Sequence, residues 1–371
     1  MSLVRLLIIP SYKSRSTICH LGWTIFDRLY IYKGVVYIVS DEPSEVPELQ
    51  YIYSKGHDIK NGKENVTARL PTDEDIQVIS TKEARKLFGA GAQIIDGVTV
   101  SRSYFCLSLC SCFETLVLRQ RPASVVRPSV SLRSLRVEHV PNSITHYYHW
   151  CAELWFGFWR TYSSLDANIT PDGGTTLPPA RRLFFNRLDN FHWRDYAAMD
   201  QWVARSSFPG VTMEFIDDWR DRAEMDTAWV FDRVVVTDRS AAMLSFNFAR
   251  YQRSASPPFA LPGAMNWWMA IRDNVVQFTG LDTSVGSGTS STPVITYISR
   301  QTWGRRMLIP EDHDKLVKEL YKLRDTYGWE VNVIEAEKMT RVEQIRLAAR
   351  TTVSTFLTCV RLRILIPDAR S

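Results

Sequence analysis

The stretch from Val294 to Arg350 decides the fold class, because segments typical of strands and of helices alternate along it. It reads VITYIS at 294–299, PEDHDKLVKELYKLRDTYG at 310–328, WEVNVIEAE at 329–337 and RVEQIRLAAR at 341–350. Leu316, Leu320 and Leu323 recur at helical spacing in the second segment. The order strand, helix, strand, helix is typical of a parallel sheet covered by helices. The stretch therefore predicts an α/β fold.

Basic residues follow the first strand of this stretch. Arg300 comes directly after the strand, and Arg305 and Arg306 lie in the short turn that follows. Ligands of parallel sheets bind at the carboxyl ends of the strands, and a guanidinium group can hold a phosphate through two hydrogen bonds. We therefore expect these three arginines to bind a diphosphate. The alternative for each is a solvated charge on a loop.

The segment THYYHWCAELWFGFWR, at 145–160, contains a candidate catalytic base. His149 and Glu153 are four residues apart, so on a helix they share one face. A carboxylate beside an imidazole holds it in one tautomer and makes it more basic, which suits the removal of a proton from a hydroxyl. His146 lies one turn earlier, where it is placed to contact the molecule that carries the hydroxyl. The alternative is a buried aromatic helix in which His149 and Glu153 only satisfy each other.

These pieces together resemble glycosyltransferase family 61, in its fungal branch. The catalytic domain of that family has, in this order, a strand that ends in an arginine, a basic position, an acidic helix start and a turn that contains a glutamine. The corresponding segments follow one another here in the same order: ITYISR, GRR, PEDHDKL and MTRVEQIRLAAR. The upstream HYYHWCAELWFGFWR is similar to the His-x-x-x-Asp/Glu segment of the family's first domain. Each piece is short, so the resemblance rests on their shared order.

The resemblance implies two Rossmann-like domains in the arrangement called GT-B. The first domain would present the acceptor and the catalytic base, and the second would hold the nucleotide sugar. The reaction implied is transfer of a sugar, with inversion, from a UDP-linked donor to a hydroxyl of a glycan or glycoprotein. The catalytic residues would be His149 and Glu153, and the substrate-binding residues would be His146, Arg300, Arg305, Arg306 and Gln344.

No cofactor is expected to be required besides the sugar donor. The departing diphosphate needs its growing negative charge stabilised by a metal ion, or by cationic side chains and backbone N–H groups. No Asp-x-Asp triplet follows a predicted strand, so we expect the arginines to serve, with a divalent metal as the alternative. The acidic run EDHD at 311–314 opens a helix, and complementarity to the helix dipole explains it better than a metal site does.

Two segments depart from the family pattern. Residues 100–140 hold six arginines and three cysteines without any period, where the family passes almost directly from GAQIIDGVT to THYYHWCAE. Residues 353–371 replace a strand and a glycine-rich loop similar to HGxGLT. Both segments begin with Val-Ser, which an in-frame GTGAGT splice donor would encode. We hypothesise that both are intron-derived and that the second domain is incomplete; the alternative for the first is a genuine insertion.

The predicted organisation follows from these boundaries. The first domain is expected at 1–99 and 141–280, and the insert at 100–140 interrupts it. A Gly/Ser/Thr-rich linker is expected at 281–293. The partial second domain follows at 294–352, and the tail is 353–371.

Composition excludes some other functions. The formal net charge is +5, of which residues 100–140 carry +4 and residues 353–371 carry +2, so the remaining chain is near −1. No nucleic-acid partner is therefore expected.

No G-x-G-x-x-G motif follows a predicted strand, which disfavours a Rossmann oxidoreductase. The remaining alternative is a catalytically inactive relative that at most binds glycans, because the HGxGLT-like loop is missing. The oligomeric state is left open.

The family works in the Golgi or the endoplasmic reticulum, and the same location is expected by resemblance. The start MSLVRLLIIPSYK is broken by Arg5 and Pro10 and makes a poor signal peptide. No apolar run reaches the roughly 18–20 residues that a membrane-spanning helix needs.

Overall fold

The computed structural model describes residues 14–20, 22–56, 62–89, 92–102, 145–195, 197–243, 257–283, 292–303 and 307–356. The chain divides into two compact units, Met1–Met269 and Ala270–Ser371. Each unit contains a β-sheet and helices, so the fold is mixed α/β. The α/β class predicted from the sequence is confirmed.

The first unit alternates strands and helices from its fifth strand onwards. Its strands are β1 (Arg15–His20), β2 (Trp23–Tyr32), β3 (Val35–Val39), β4 (Ile76–Ile79), β5 (Gln93–Arg102), β6 (Ala180–Phe185), β7 (Thr212–Glu214) and β8 (Trp229–Thr237). Its α-helices are α1 (Lys63–Thr67), α2 (Thr81–Phe88), α3 (Phe156–Ser163), α4 (Asp200–Ser207), α5 (Ile216–Glu224) and α6 (Arg239–Ala242). A π-helix, His149–Trp155, runs directly into α3.

One mixed sheet organises this unit. Its strands lie in the order β4-β3-β2-β8-β5-β6-β7, and β1 also pairs with β2. Strands β8, β5, β6 and β7 are parallel, whereas β2 is antiparallel to β1, β3 and β8. The chain moves outward from β5 to β6 and β7, and then returns to place β8 on the other side of β5. The carboxyl ends of β5 and β8 therefore form a topological switch point, where open α/β sheets bind ligands.

Local signals in the sequence explain two features of this unit. The β2–β3 hairpin turns at Lys33 and Gly34, whose positive φ angles of 50° and 80° are typical of a type I′ turn. Helix α2 begins with a capping box, which the sequence Ser80-Thr-Lys-Glu83 encodes. The Ser80 hydroxyl accepts a hydrogen bond from the Glu83 N–H, and the Glu83 carboxylate accepts one from the Ser80 N–H.

The sheet buries apolar side chains on both faces. Ile31 and Phe231 pack on one face with Trp219 of α5. Tyr30, the neighbour of Ile31, points to the other face and stacks on Phe88 of α2, with ring centroids 5.2 Å apart. This alternation follows from the two-residue period of a strand. Helices α2 and α5 thus cover opposite faces of the sheet.

The second unit contains a parallel sheet with the order β10-β9-β11. Its elements are α7 (Met269–Phe278), which begins at the last residue of the first unit, β9 (Val294–Ile298), α8 (Pro310–Tyr327), β10 (Glu330–Ile334), α9 (Arg341–Arg350) and β11 (Val353–Phe356). The predicted order of strand, helix, strand and helix is confirmed. Because β10 and β11 flank β9, the carboxyl ends of β9 and β11 form a second switch point.

The core of the second unit is small. Leu316, Leu320 and Leu323 of α8 pack against Ile295 and Tyr297 of β9, as the helical spacing predicts. Every residue of β10 is only partly buried. Strands of parallel sheets are normally buried on both faces, so this sheet leaves part of its surface uncovered within the described residues.

Some of the segment boundaries predicted from the sequence differ from those of the structure, and others lie partly outside the described residues. Strand β5 continues through Arg102, past the expected start of the insert, while residues 103–140 lie outside the described residues. The boundary between the two compact units lies after Met269, earlier in the chain than the linker expected at 281–293. Residues 284–291 of that expected linker lie outside the described residues. The expected tail begins as β11, paired in parallel with β9, and its residues 357–371 are not described.

Within the parts of the chain that the structure describes, no helix combines the length and hydropathy that crossing a bilayer requires.

Candidate active site

Polar and charged side chains gather beyond the carboxyl ends of two parallel strands in the first unit. Asp238 and Arg239 follow β8, and Asn186 and Arg187 follow β6. Both strands run parallel to β5, which lies between them, so their ends share one edge of the sheet. This carboxyl edge includes the switch point between β5 and β8, which is where open α/β sheets bind their ligands.

His149 and Glu153 are brought together as predicted. The His149 Nδ1 atom lies 3.0 Å from the Glu153 Oε2 atom. The helix that carries them is a π-helix rather than the α-helix that the spacing predicts. Its wider turn still keeps residues four apart close to one face, and π-turns are frequent at functional sites. When the Nδ1–H group donates a hydrogen bond to the carboxylate, the lone pair of Nε2 is left to take a proton from a substrate.

The two faces of this helix differ in burial. Trp150, Leu154 and Trp155 are buried in the core, as the alternative interpretation of an aromatic helix expects. His149, in contrast, keeps 35% of its side chain exposed, while Glu153 keeps 13%. A partly exposed imidazole held by a largely buried carboxylate is suited to meet a substrate from solvent.

Arg239 completes the cluster, although sequence reasoning did not select it. Its Nε atom donates a hydrogen bond to Glu153 Oε2, and its Nη2 atom lies 3.4 Å from His149 Nδ1. Its side chain is only 9% exposed. The sequence does carry a signal for it, because Arg239 comes just after WVFDRVVVT at 229–237, a segment rich in the valines and aromatic residues that favour strands.

The charges around Glu153 keep its carboxyl group ionised. Burial by itself raises the pKa of a carboxyl group, but the hydrogen bond from His149 and the positive charge of Arg239 outweigh burial, and the pKa of Glu153 is lowered. Glu153 is therefore a carboxylate at neutral pH. In that state it can hold the imidazole and stabilise an imidazolium formed during a reaction.

Asp238 fixes the start of α6, whose first residue is Arg239. Its carboxylate accepts hydrogen bonds from the Ala241 N–H at 2.8 Å, the Ser54 N–H at 2.7 Å and the Ser54 hydroxyl at 2.9 Å. Burial raises the pKa of Asp238, against the lowering effect of these bonds. A buried carboxylate with three donors is a rigid anchor, so the backbone that carries Arg239 is held firmly.

Arg187 ties another segment to the same edge. Its Nη2 atom lies 3.0 Å from Asp75 Oδ1, and its Nη1 atom donates to the Lys55 carbonyl oxygen. Its guanidinium group also lies over the Tyr53 ring, 5.1 Å from the centroid. Arg187 therefore has protein partners on three sides, and its role here is structural.

Two further rings border His149. The His146 ring centroid is 5.1 Å from that of His149, and the Tyr148 centroid is 5.4 Å away in an edge-on arrangement. His146 is exposed, and Tyr148 is 60% exposed. The structure thus places His146 beside the candidate base, and its contact with an acceptor stays a prediction.

Arg300 in the second unit follows β9, as predicted. The preceding Ser299 N–H donates to the Ile334 carbonyl oxygen at 2.7 Å, which continues the β9–β10 pairing to the end of both strands. Arg300 is partly buried at the carboxyl end of β9, next to the second switch point. Arg305 and Arg306, the other two candidates for binding the diphosphate, lie outside the described residues.

Gln344 has a structural role in this unit. Its side-chain amide donates to the carbonyl oxygens of Ala336 at 2.8 Å and of Met339 at 3.1 Å. These bonds hold the turn before α9, so the NH₂ group is engaged with the backbone. A contact between Gln344 and a nucleotide stays a prediction.

Among the described residues, no group of three or more His, Cys, Asp and Glu side chains is placed to hold a metal ion. The acidic residues Glu311 and Asp312 lie in the first turn of α8, where they complement the helix dipole. No protein-family model matches the chain, and no curated protein sequence matches it.

Proposed function

We propose that the protein is an inverting glycosyltransferase, which transfers a sugar from a UDP-linked donor to a hydroxyl of a glycan or glycoprotein. The observation that carries the proposal is the cluster of His149, Glu153 and Arg239 at the carboxyl edge of the first sheet. It supplies an oriented base where α/β sheets bind ligands. The resemblance of the chain to glycosyltransferase family 61 supports sugar transfer as the reaction.

His149 would act as the base. The acceptor hydroxyl passes its proton to Nε2 while its oxygen bonds to the anomeric carbon of the donor, and the bond from that carbon to the diphosphate breaks. The imidazolium that forms lies beside the Glu153 carboxylate, 3.0 Å from Nδ1, which stabilises its charge. Arg239 holds Glu153 in place, and the proton leaves His149 to solvent afterwards.

Arg300 would bind the departing diphosphate. A guanidinium group at the carboxyl end of a parallel strand can make two charge-assisted hydrogen bonds to phosphate oxygens. Arg305 and Arg306, in the turn that follows Arg300, would add to this positive charge. Leaving-group stabilisation by arginines requires no metal ion.

We further propose a GT-B arrangement of two Rossmann-like domains, with an incomplete second domain, and a location in the Golgi or the endoplasmic reticulum. In chain order the strands β10-β9-β11 are second, first and third, which is how the flavodoxin-like doubly wound sheet with the order 2-1-3-4-5 begins. The partial burial of β10 supports incompleteness. The sequence from residue 353 onwards, where the family has its glycine-rich loop, favours a second candidate function, an inactive relative that binds glycans.

Sugar transfer tests the proposal directly. The protein, both as residues 1–371 and in the form encoded by a spliced message, is incubated with UDP-xylose, UDP-arabinose or UDP-N-acetylglucosamine and a panel of methyl glycosides, and UDP release is measured. Transfer by the spliced form alone would support an incomplete second domain in the chain of 371 residues. If neither form transfers a sugar from any donor, the transferase proposal is contradicted and the second candidate function, an inactive relative that binds glycans, is favoured.

The variant His149→Ala should lower the rate by about 10²–10⁴-fold, the usual loss on removing a general base. His192→Ala is the matched control, because His192 also pairs with a carboxylate, Asp189, at 2.6 Å, and is 58% exposed. Turnover of His149→Ala at the wild-type rate, or an equal loss in His192→Ala, would contradict the assigned role.

A further inference from the structure

A cavity opens at the opposite, amino-terminal edge of the parallel strands. Its volume is about 780 Å³, which lies in the range of small-molecule pockets. Residues near the starts of four strands line it, among them Ile94 of β5, Arg182 of β6, Thr212 of β7 and Trp229 of β8. The cavity is thus at the end of the sheet away from His149.

The cavity is positively charged. Arg181, Arg182 and Arg222 line it. Glu214 pairs with two of them, through Arg182 Nε at 2.7 Å and Arg222 Nη2 at 2.8 Å. One carboxylate therefore balances one of three guanidinium groups, and the set keeps a formal charge of +2. A site of this charge attracts an oxyanion.

Two of the three guanidinium groups, those of Arg182 and Arg222, are largely covered by the protein, whereas Arg181 is exposed. The Arg222 guanidinium lies 5.5 Å from the centroids of both Phe184 and Trp229, and its side chain is 15% exposed. The Nη1 atom of Arg182 is buried and has no hydrogen-bond partner within the described part of the chain. Because an arginine N–H is a strong donor whose burial without a partner is costly, this atom calls for an acceptor.

We propose that this cavity binds a small organic anion, in which a phosphate or carboxylate group is joined to an apolar group. The oxyanion would contact Arg181 and Arg182, whose planar guanidinium groups match its geometry. The apolar part would lie against Ile94 and Trp229, which form the apolar wall of the cavity. This ligand is separate from the sugar donor and acceptor, because its site is at the other edge of the sheet.

Calorimetry on the full chain tests the proposal with phenyl phosphate and benzoate as probes, and with inorganic phosphate and phenol as reference compounds. Phenyl phosphate should bind at least about tenfold more tightly than inorganic phosphate, since it also buries a ring. The exposed Arg181 can be replaced without disturbing the core, and Arg181→Ala should weaken binding about tenfold. The stronger of the two probes identifies the oxyanion as phosphate or carboxylate.

Two variants and a control separate the site from general charge effects. Thr212→Glu places a negative charge in the cavity without removing an arginine, and it should abolish binding of both probes. Arg205→Ala removes an exposed positive charge from α4 and should leave binding unchanged. His149→Ala should also leave it unchanged, so the result is independent of the proposed transferase activity. Absence of binding at millimolar probe, equal affinity in wild type and Arg181→Ala, or equal weakening in Arg205→Ala would overturn the proposal.

Discussion

Replacing Glu153 by glutamine tests the His149–Glu153–Arg239 cluster through stability alone. The substitution removes one negative charge and changes the side-chain volume little. Glu153 Oε2 accepts a hydrogen bond from Arg239 Nε and lies 3.0 Å from His149 Nδ1. The side chains of Glu153 and Arg239 are only 13% and 9% exposed. Water can therefore replace little of what the carboxylate provides.

The expected loss follows from this burial. Removing one partner of a buried ion pair costs about 3–5 kcal/mol, whereas a solvent-exposed pair contributes about 0–1 kcal/mol. The pair here is largely buried, and the glutamine carbonyl keeps one acceptor for Arg239. We therefore expect Glu153→Gln to lower the free energy of unfolding by about 2–4 kcal/mol at neutral pH.

The dependence on pH has a definite sign. Burial raises the pKa of Glu153, but its bonds to His149 and Arg239 outweigh burial, and the folded-state pKa lies below the ordinary value of 4.5. The ionised carboxylate therefore stabilises the fold above that ordinary value, and the stabilisation is lost as the pH falls through the lowered one. The difference between wild type and Glu153→Gln should therefore shrink as the pH falls below 4.5.

Urea denaturation followed by tryptophan fluorescence measures the effect. Glu224→Gln is the control, because Glu224 is an exposed carboxylate at the end of α5, and its replacement should leave the unfolding midpoint unchanged. Two results would refute the reasoning. The first is a Glu153→Gln midpoint equal to that of wild type at pH 7. The second is a difference that grows, rather than shrinks, in acid.

Three further predictions follow from other parts of the chain. Arg300→Ala should weaken UDP binding by about 1.5–3 kcal/mol in calorimetry, because a charge-assisted contact is lost; unchanged affinity would make Arg300 a structural residue. Gly22→Ala should destabilise the protein by more than about 2 kcal/mol, because Gly22 has a φ of +72° and an added Cβ atom would lie 2.3 Å from the Asp238 carbonyl oxygen; an unchanged melting temperature would contradict this. Cloning of the transcript should yield a spliced message without the segments 100–140 and 353–371, and a spliced message that encodes both would end the intron hypothesis.

Local patterns were sufficient to predict part of the fold. The spacing of Leu316, Leu320 and Leu323 predicts α8, because one helix face must cover the sheet. The Lys33-Gly34 turn predicts its hairpin through a backbone conformation that few residue pairs adopt. The sequence also predicts the pairing of His149 with Glu153, because the two residues are four positions apart on one helix.

Contacts between distant segments were not accessible in this way. Arg239 is 86 positions from Glu153, and they meet because β8 returns to the side of β5, a choice of strand order that no local pattern encodes. The same holds for Asp238, whose partner Ser54 is 184 positions away. The hydrogen bonds from the Gln344 amide to the carbonyl oxygens of Ala336 and Met339 depend on the fold of the turn before α9, which no residue pattern in the sequence specifies.

The anomeric configuration of the product tests the central proposal most directly. A single base, His149, that activates a hydroxyl for direct attack on the donor sugar must invert the anomeric carbon. Proton NMR of the product formed from an α-linked UDP-sugar should therefore show a β-linked glycoside, and its formation should be lost in His149→Ala. An α-linked product, or a β-linked product formed equally fast by His149→Ala, would contradict the proposed mechanism.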